Sequence, residues 1–140
     1  MANAVYNSAK TDLLNANVDY ASDTIKVALV TSSYSPDVDS HEFFDDITNE
    51  VSGTGYTAGG ATLASKSVSQ DDTDNEGVFD AADVTWSSST ITARGAVLYK
   101  STGTPATSNL ICYIDFGENK SSSAGDFTIQ WNDEGIINIT

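Results

Sequence analysis

LICYIDF, residues 110–116, is the stretch whose reading decides the fold. Leu110, Cys112, Ile114 and Phe116 fall on one side of a two-residue period and Ile111 and Tyr113 on the other, so both faces are apolar. A strand of that kind belongs in the interior of a sheet that is covered on both sides. Downstream, DFTIQW (126–131) alternates Phe127, Ile129 and Trp131 with Thr128 and Gln130, and it is the expected partner of the central strand. GENKSSSAG (117–125) then reads as the polar, flexible connection between the two. GIINIT (135–140) is expected to close an edge.

Upstream the same periodicity recurs. TIKVALVT (24–31) sets Ile25, Val27 and Leu29 against Lys26 and Ala28, the clearest single strand. ATLASKSVS (61–69) and GVFDA (77–81) read as further strands, and ADVTW followed by three serines and TITARGAVLY (82–99) as a hairpin turning on Ser87–Ser89. Helical spacing occurs in two places. Val5, Ala9 and Leu13 lie four apart, with Leu14 adjacent, which predicts a short amphipathic helix over residues 4–15. After Pro36, Asp39 and Glu42 have capping-box spacing ahead of Phe43, Phe44 and Ile47, which predicts a second short helical segment. With about seven or eight short strands, no internal repeat, no heptad and no long linker, the expected fold is mainly β. It is a single domain over residues 1–140, an antiparallel β-sandwich or partly open barrel with a short N-terminal helix and one further helical segment.

Composition narrows the function. Twenty acidic residues against six basic ones give a net charge of −14, which repels nucleic acid and anionic lipid alike, so neither nucleic acid nor a membrane is an expected partner. No run of about eighteen apolar residues occurs, and MANAVYNSAKTDLL has no apolar stretch after Lys10, so neither a spanning helix nor a signal peptide is expected. At 140 residues the chain is long enough to bury a core without staples, and its one cysteine, Cys112, can form no disulfide within the chain.

Each motif of a chemistry-bearing kind has a plainer reading. In VSGTGYTAGGATL (51–63), Gly53, Gly55, Gly59 and Gly60 precede a strand rather than a helix, and no Lys follows until Lys66, so the loop is expected to be a connector and not a phosphate cradle. DTDNEGVFDAAD (72–83) places Asp72, Asp74, Glu76, Gly77, Val78, Asp80 and Asp83 at positions one, three, five, six, seven, nine and twelve of a calcium loop. Glu at the fifth position is too long, Asp at the twelfth replaces a bidentate Glu, and the flanks are strands; an acidic hairpin turn is expected. The lone His41 sits among Asp37, Asp39, Glu42, Asp45 and Asp46, a set that a divalent metal can use but that a solvated charge run also produces. IDFG (114–117) lacks the companion motifs of a kinase, Cys112 has only His41 as a conceivable base, and there is no GxSxG. No catalytic residue, no cofactor site and no metal site is therefore assigned, and the chain is not expected to be an enzyme.

Three segments, DTIKVALVTSSYSPD, DITNEVSGTGYTAGGATL and DVTWSSSTITARGAVLYKSTGTPATSNLICYIDFG, together resemble a group of small virion structural proteins of tailed bacteriophages, the likeness running from about Asp23 to Trp131. The resemblance implies a place on a phage particle and carries no residue-level role. A compact acidic domain without a basic face suits the outside of the head, so the expectation is a capsid decoration or cement protein. It would be made in the host cytoplasm, bind the major capsid protein and form a homo-oligomer on the capsid lattice. The alternative is a tail or tail-fibre module that binds carbohydrate through exposed aromatics such as Tyr34, Tyr56 or Trp86.

Overall fold

A computed structural model describes residues 2–140. The protein is mainly β, with antiparallel sheets and one short helix, as the periodicity predicts. Its centre is a five-stranded sheet of order β1-β8-β7-β2-β3, built from β1 (Ala4–Val5), β2 (Ile25–Val30), β3 (Ala61–Thr62), β7 (Thr92–Lys100) and β8 (Leu110–Ser121). A three-stranded sheet, β10-β5-β4, comprises β4 (Ser67–Asp71), β5 (Glu76–Asp80) and β10 (Ile137–Ile139). A two-stranded sheet pairs β6 (Val84–Ser89) with β9 (Gly125–Ile129). The sheets are not closed into a barrel, and the arrangement is sandwich-like.

Alternation along β2 sorts its side chains between two cores. Ile25, Val27 and Leu29 join Leu98, Trp86, Phe79, Phe127 and Ile129 on the side covered by the two smaller sheets. Ala28 and Val30 join Val97, Tyr99, Tyr6, Ala9 and Tyr34 on the other, under helix α1 (Asn7–Leu14) and the loop that carries Phe44 and Ile47. The central sheet is thus buried on both faces, as LICYIDF implies. The two sides of that stretch are, however, not divided as a regular strand would divide them. A bulge between the Leu98–Cys112 and Tyr99–Leu110 pairs inserts Ile111, which sends Ile111 to the core of Cys112 and returns Leu110 to the core of Tyr113.

Several local expectations are corrected. Residues 82–99 do not form a hairpin, because the serines extend β6 along β9 instead of turning. Ser89 is fully buried and its hydroxyl lies within hydrogen-bond distance of the Trp86 and Gly125 carbonyls and of Ser122 Oγ, so a polar side chain that looked like turn material is satisfied inside the molecule. DFTIQW therefore pairs with Val84–Ser89, and the partners of LICYIDF are β7 and β1. The expected loop at 117–125 is strand as far as Ser121.

The second helix is a single 3₁₀ turn, Phe44–Asp46. Its cap is not Asp39: the Asp46 carboxylate accepts the Glu42 and Phe43 backbone N–H groups, while Asp39 accepts from the Asn7 amide. ATLASKSVS is split into β3 and β4 by Ser65, whose φ of 53° breaks the extended run. At the N-terminus the helix begins only at Asn7, because Ala4 and Val5 pair with Tyr113 and Cys112. The apolar stripe is also displaced, with Tyr6 and Ala9 buried and Leu13 and Leu14 exposed.

Candidate functional site

The glycine loop is a clasp. The Glu50 carboxylate accepts hydrogen bonds from the Gly59 N–H (2.6 Å) and the Tyr56 hydroxyl (2.7 Å), and the Tyr99 hydroxyl donates to the Gly59 carbonyl (2.5 Å). The Gly60 N–H is taken by the Thr57 carbonyl. A phosphate would find these donors occupied and a carboxylate in its place. Gly60 itself has φ +78°, and a Cβ there would lie 1.8 Å from the Val27 carbonyl oxygen, so the loop crosses β2 where only glycine fits.

The His41 cluster is likewise spent on local structure. Asp37 accepts the Asp39 and Ser40 N–H groups, and Nδ1 of His41 accepts the Asp37 N–H and lies 2.9 Å from the Tyr34 hydroxyl, which in turn meets the Tyr6 hydroxyl at 2.7 Å. These bonds, with Ser40 foremost, hold the Asp37 carboxyl below its usual range. The Cys112 thiol is buried, and burial pushes its pKa up to about 12, which removes the thiolate a nucleophile needs. Tyr34 and Trp86, the aromatics expected to be exposed, are buried at 4% and 6%, and Tyr56 is partly buried with its hydroxyl engaged by Glu50 and the Leu29 N–H. None of the three offers a surface platform.

The acidic hairpin is real, but its members differ from the calcium-loop register. Among the described residues the grouped ligand atoms are those of Asp71, Asp74 and Glu76, within 4.8 Å of one another; Asp80 and Asp83 stand apart, because residues 76–80 are strand β5 and not loop. Asp71 accepts the Thr73 and Asp74 N–H groups, and Glu76 accepts from the Asn138 amide. No ion pair among the described residues includes a carboxylate of this hairpin.

Beside that hairpin lies the feature that periodicity did not single out. The exposed large hydrophobic side chains among the described residues are Val5, Leu13, Leu14, Val68 and Ile139, and all five line one groove of about 480 Å³ between α1 and the β10-β5-β4 sheet. Phe79 and Tyr20 form part of its lining, and Lys10 is the one cation there. The groove shares Val68, Gly77 and Ile139 with the hollow bordered by Asp71, Asp72 and Glu76, so an apolar surface runs directly into an acidic one. The signal was present in the sequence as the Leu13–Leu14 pair and the same-side spacing of Ile137 and Ile139, but only the fold brings these segments together. A second crevice, about 550 Å³, opens between the outer half of β8 and β9, with Phe116 and Trp131 beside Asn3, Gln130 and Asn132.

No family model matches the chain, and neither a curated protein nor a solved structure matches it. No helix among the described residues is long and apolar enough to cross a membrane.

Proposed function

We propose that the chain is a virion structural protein of a tailed bacteriophage, a decoration or cement protein that attaches to the outside of the assembled head. The observation that carries this reading is the one-sidedness of the surface: exposed large apolar side chains converge on a single groove of a domain whose net charge is −14. Scattered exposed hydrophobics need no explanation, whereas a contiguous apolar patch rimmed by charge marks an attachment face. A sheet covered on both faces suits a part that is held in place. The resemblance of its strings to phage virion proteins supplies the particle.

Copies that each carry −14 repel one another, so association in free solution is weak, while a preassembled shell offers several contacts at fixed spacing and gains avidity from them. The purified protein is therefore expected to co-sediment with undecorated expanded shells far better than with soluble capsid subunits, and to gather about a local symmetry axis once there. Equal binding to both, or density found on the tail alone, overturns the proposal. The second reading, a tail or fibre module that binds carbohydrate, draws on the crevice where the partly buried Phe116 lies beside three amide side chains. Tyr34 and Trp86 have no part in it.

A further inference from the structure

The groove between α1 and the β10-β5-β4 sheet and the acidic hairpin beside it form one continuous footprint. On the apolar side Leu14 is 88% exposed and Val68 58% exposed, and Val5, Leu13 and Ile139 line the same groove, with Val68 and Ile139 where it meets the acidic hollow. On the acidic side, Asp71, Asp72, Asp74 and Glu76 fall within six residues of sequence. Among the described residues the hydrogen-bond donors to three of them are neutral: backbone N–H groups for Asp71, the Gln70 amide for Asp72, the Asn138 amide for Glu76. The cations that do form ion pairs, Arg94, Lys100 and Lys120, take their carboxylates elsewhere. The hairpin thus concentrates negative charge that enters no ion pair among the described residues, at the mouth of the surface where their exposed large hydrophobics collect.

We infer that this footprint docks a protein segment with an apolar ridge flanked by Lys or Arg, the ridge filling the groove and the cations meeting the hairpin carboxylates. Charge complementarity selects this occupant over the others. A second copy of the chain brings its own −14 and only six cations, of which three are already paired. An anionic lipid surface or a nucleic acid is repelled by the same carboxylates. Apolar contact supplies affinity at the groove, and the acid cluster steers and orients the partner. The inference rests on the reading of this face as the attachment face, and it adds the chemistry of what is attached.

Two synthetic amphipathic peptides test it, one with a leucine ridge flanked by lysines and one with the same ridge flanked by glutamates, titrated into the full chain by fluorescence anisotropy. The lysine peptide is expected to bind at least about tenfold more tightly than the glutamate peptide, and more weakly as salt rises. Leu14→Glu and Val68→Glu are each expected to weaken it by at least about tenfold. Both side chains are largely outside the core, and far-UV circular dichroism checks the fold; Leu13→Ser serves as a milder variant of the same face. Asp72→Asn combined with Asp74→Asn is expected to remove most of the salt dependence while leaving the apolar part. No binding by either peptide, equal binding by both, or indifference to the groove variants overturns the inference. So does dimerisation of the wild type that Leu14→Glu abolishes, which gives the groove to a second copy. Undecorated shells separate this result from the broader proposal. If wild type and Leu14→Glu add to shells equally, the groove inference falls and the decoration reading stands. If the lysine peptide binds but shells do not, the decoration reading falls and the groove inference stands.

Discussion

Strand β2 buries every residue but Lys26, whereas β4 exposes Ser67, Val68, Ser69 and Gln70. Both belong to antiparallel sheets of one small protein, and both carry valine. The difference lies in what covers them. β2 has a core on each face and a paired strand on each edge, while β4 is the outer strand of a three-stranded sheet whose tip is a run of carboxylates. The first arrangement fixes geometry and the second leaves chemistry accessible, which is the division expected of a scaffold and the surface it presents.

The contrast is broken most directly by cutting side chains in each region. Leu98→Ala removes a fully buried side chain from the core shared with Ile25 and Phe79 and is expected to cost about 2–5 kcal/mol in urea denaturation. Val68→Ala is expected to stay within about 0.5 kcal/mol of wild type, because the side chain it trims is already in solvent. Similar losses at both positions would mean that Val68 is packed like a core residue after all.

Glycines sharpen the same comparison. Gly60→Ala forces a Cβ against the Val27 carbonyl in a left-handed conformation, and the expected loss is about 1–3 kcal/mol with loosening of the Glu50 clasp. At Gly77, in the exposed sheet, a Cβ meets nothing within 4 Å, and Gly77→Ala is expected to change the unfolding midpoint little. Thermal denaturation of the two variants side by side is the measurement.

The smallest expected effect is on pH dependence. Backbone N–H groups of Glu42 and Phe43 hold the Asp46 carboxyl below its usual range, and hydrogen bonds from Ser22 and Ser40 do the same for Asp19 and Asp37. A depressed folded-state pKa contributes stability that is present above the unfolded value, near 3.8, and is lost as pH falls through the folded value. Stability is therefore expected to decline as pH drops below about 4. Asp46→Asn should flatten that decline slightly in urea midpoints measured from neutral pH into acid. Two tyrosines of the core under α1 act at the opposite limit. Burial raises Tyr34 and Tyr99 to about 12, so the stability of their neutral forms is kept below pH 10 and lost above it.

Period-two alternation made the strands legible, and double-sided apolarity located the central one, because both signals depend on burial that is local to a strand. Pairing was less legible. The bulge at Ile111 shifts alternation by one residue and is invisible in LICYIDF itself. Ser87–Ser89 read as a turn because serine is usually solvated, yet Ser89 is enclosed by partners from residues 122 and 125 that no short window contains. The groove escaped notice for the same reason: Leu14, Val68 and Ile139 are unremarkable singly, and their convergence is a property of the folded chain.

The pairing of Ala4 with Tyr113 and of Val5 with Cys112 sets a timetable for folding on the ribosome. Strand β1 precedes the other strands of its sheet in the chain, lies on the outer edge of β8 and has no partner until residues 110–121 have emerged, and closing so long a loop is the slow kind of step in β-protein folding. Until then β7 also lacks its neighbour on that side, and its apolar residues remain open to chance pairing between nascent chains. A chain stalled before Leu110 is therefore expected to behave as an aggregation-prone fragment rather than a partial domain.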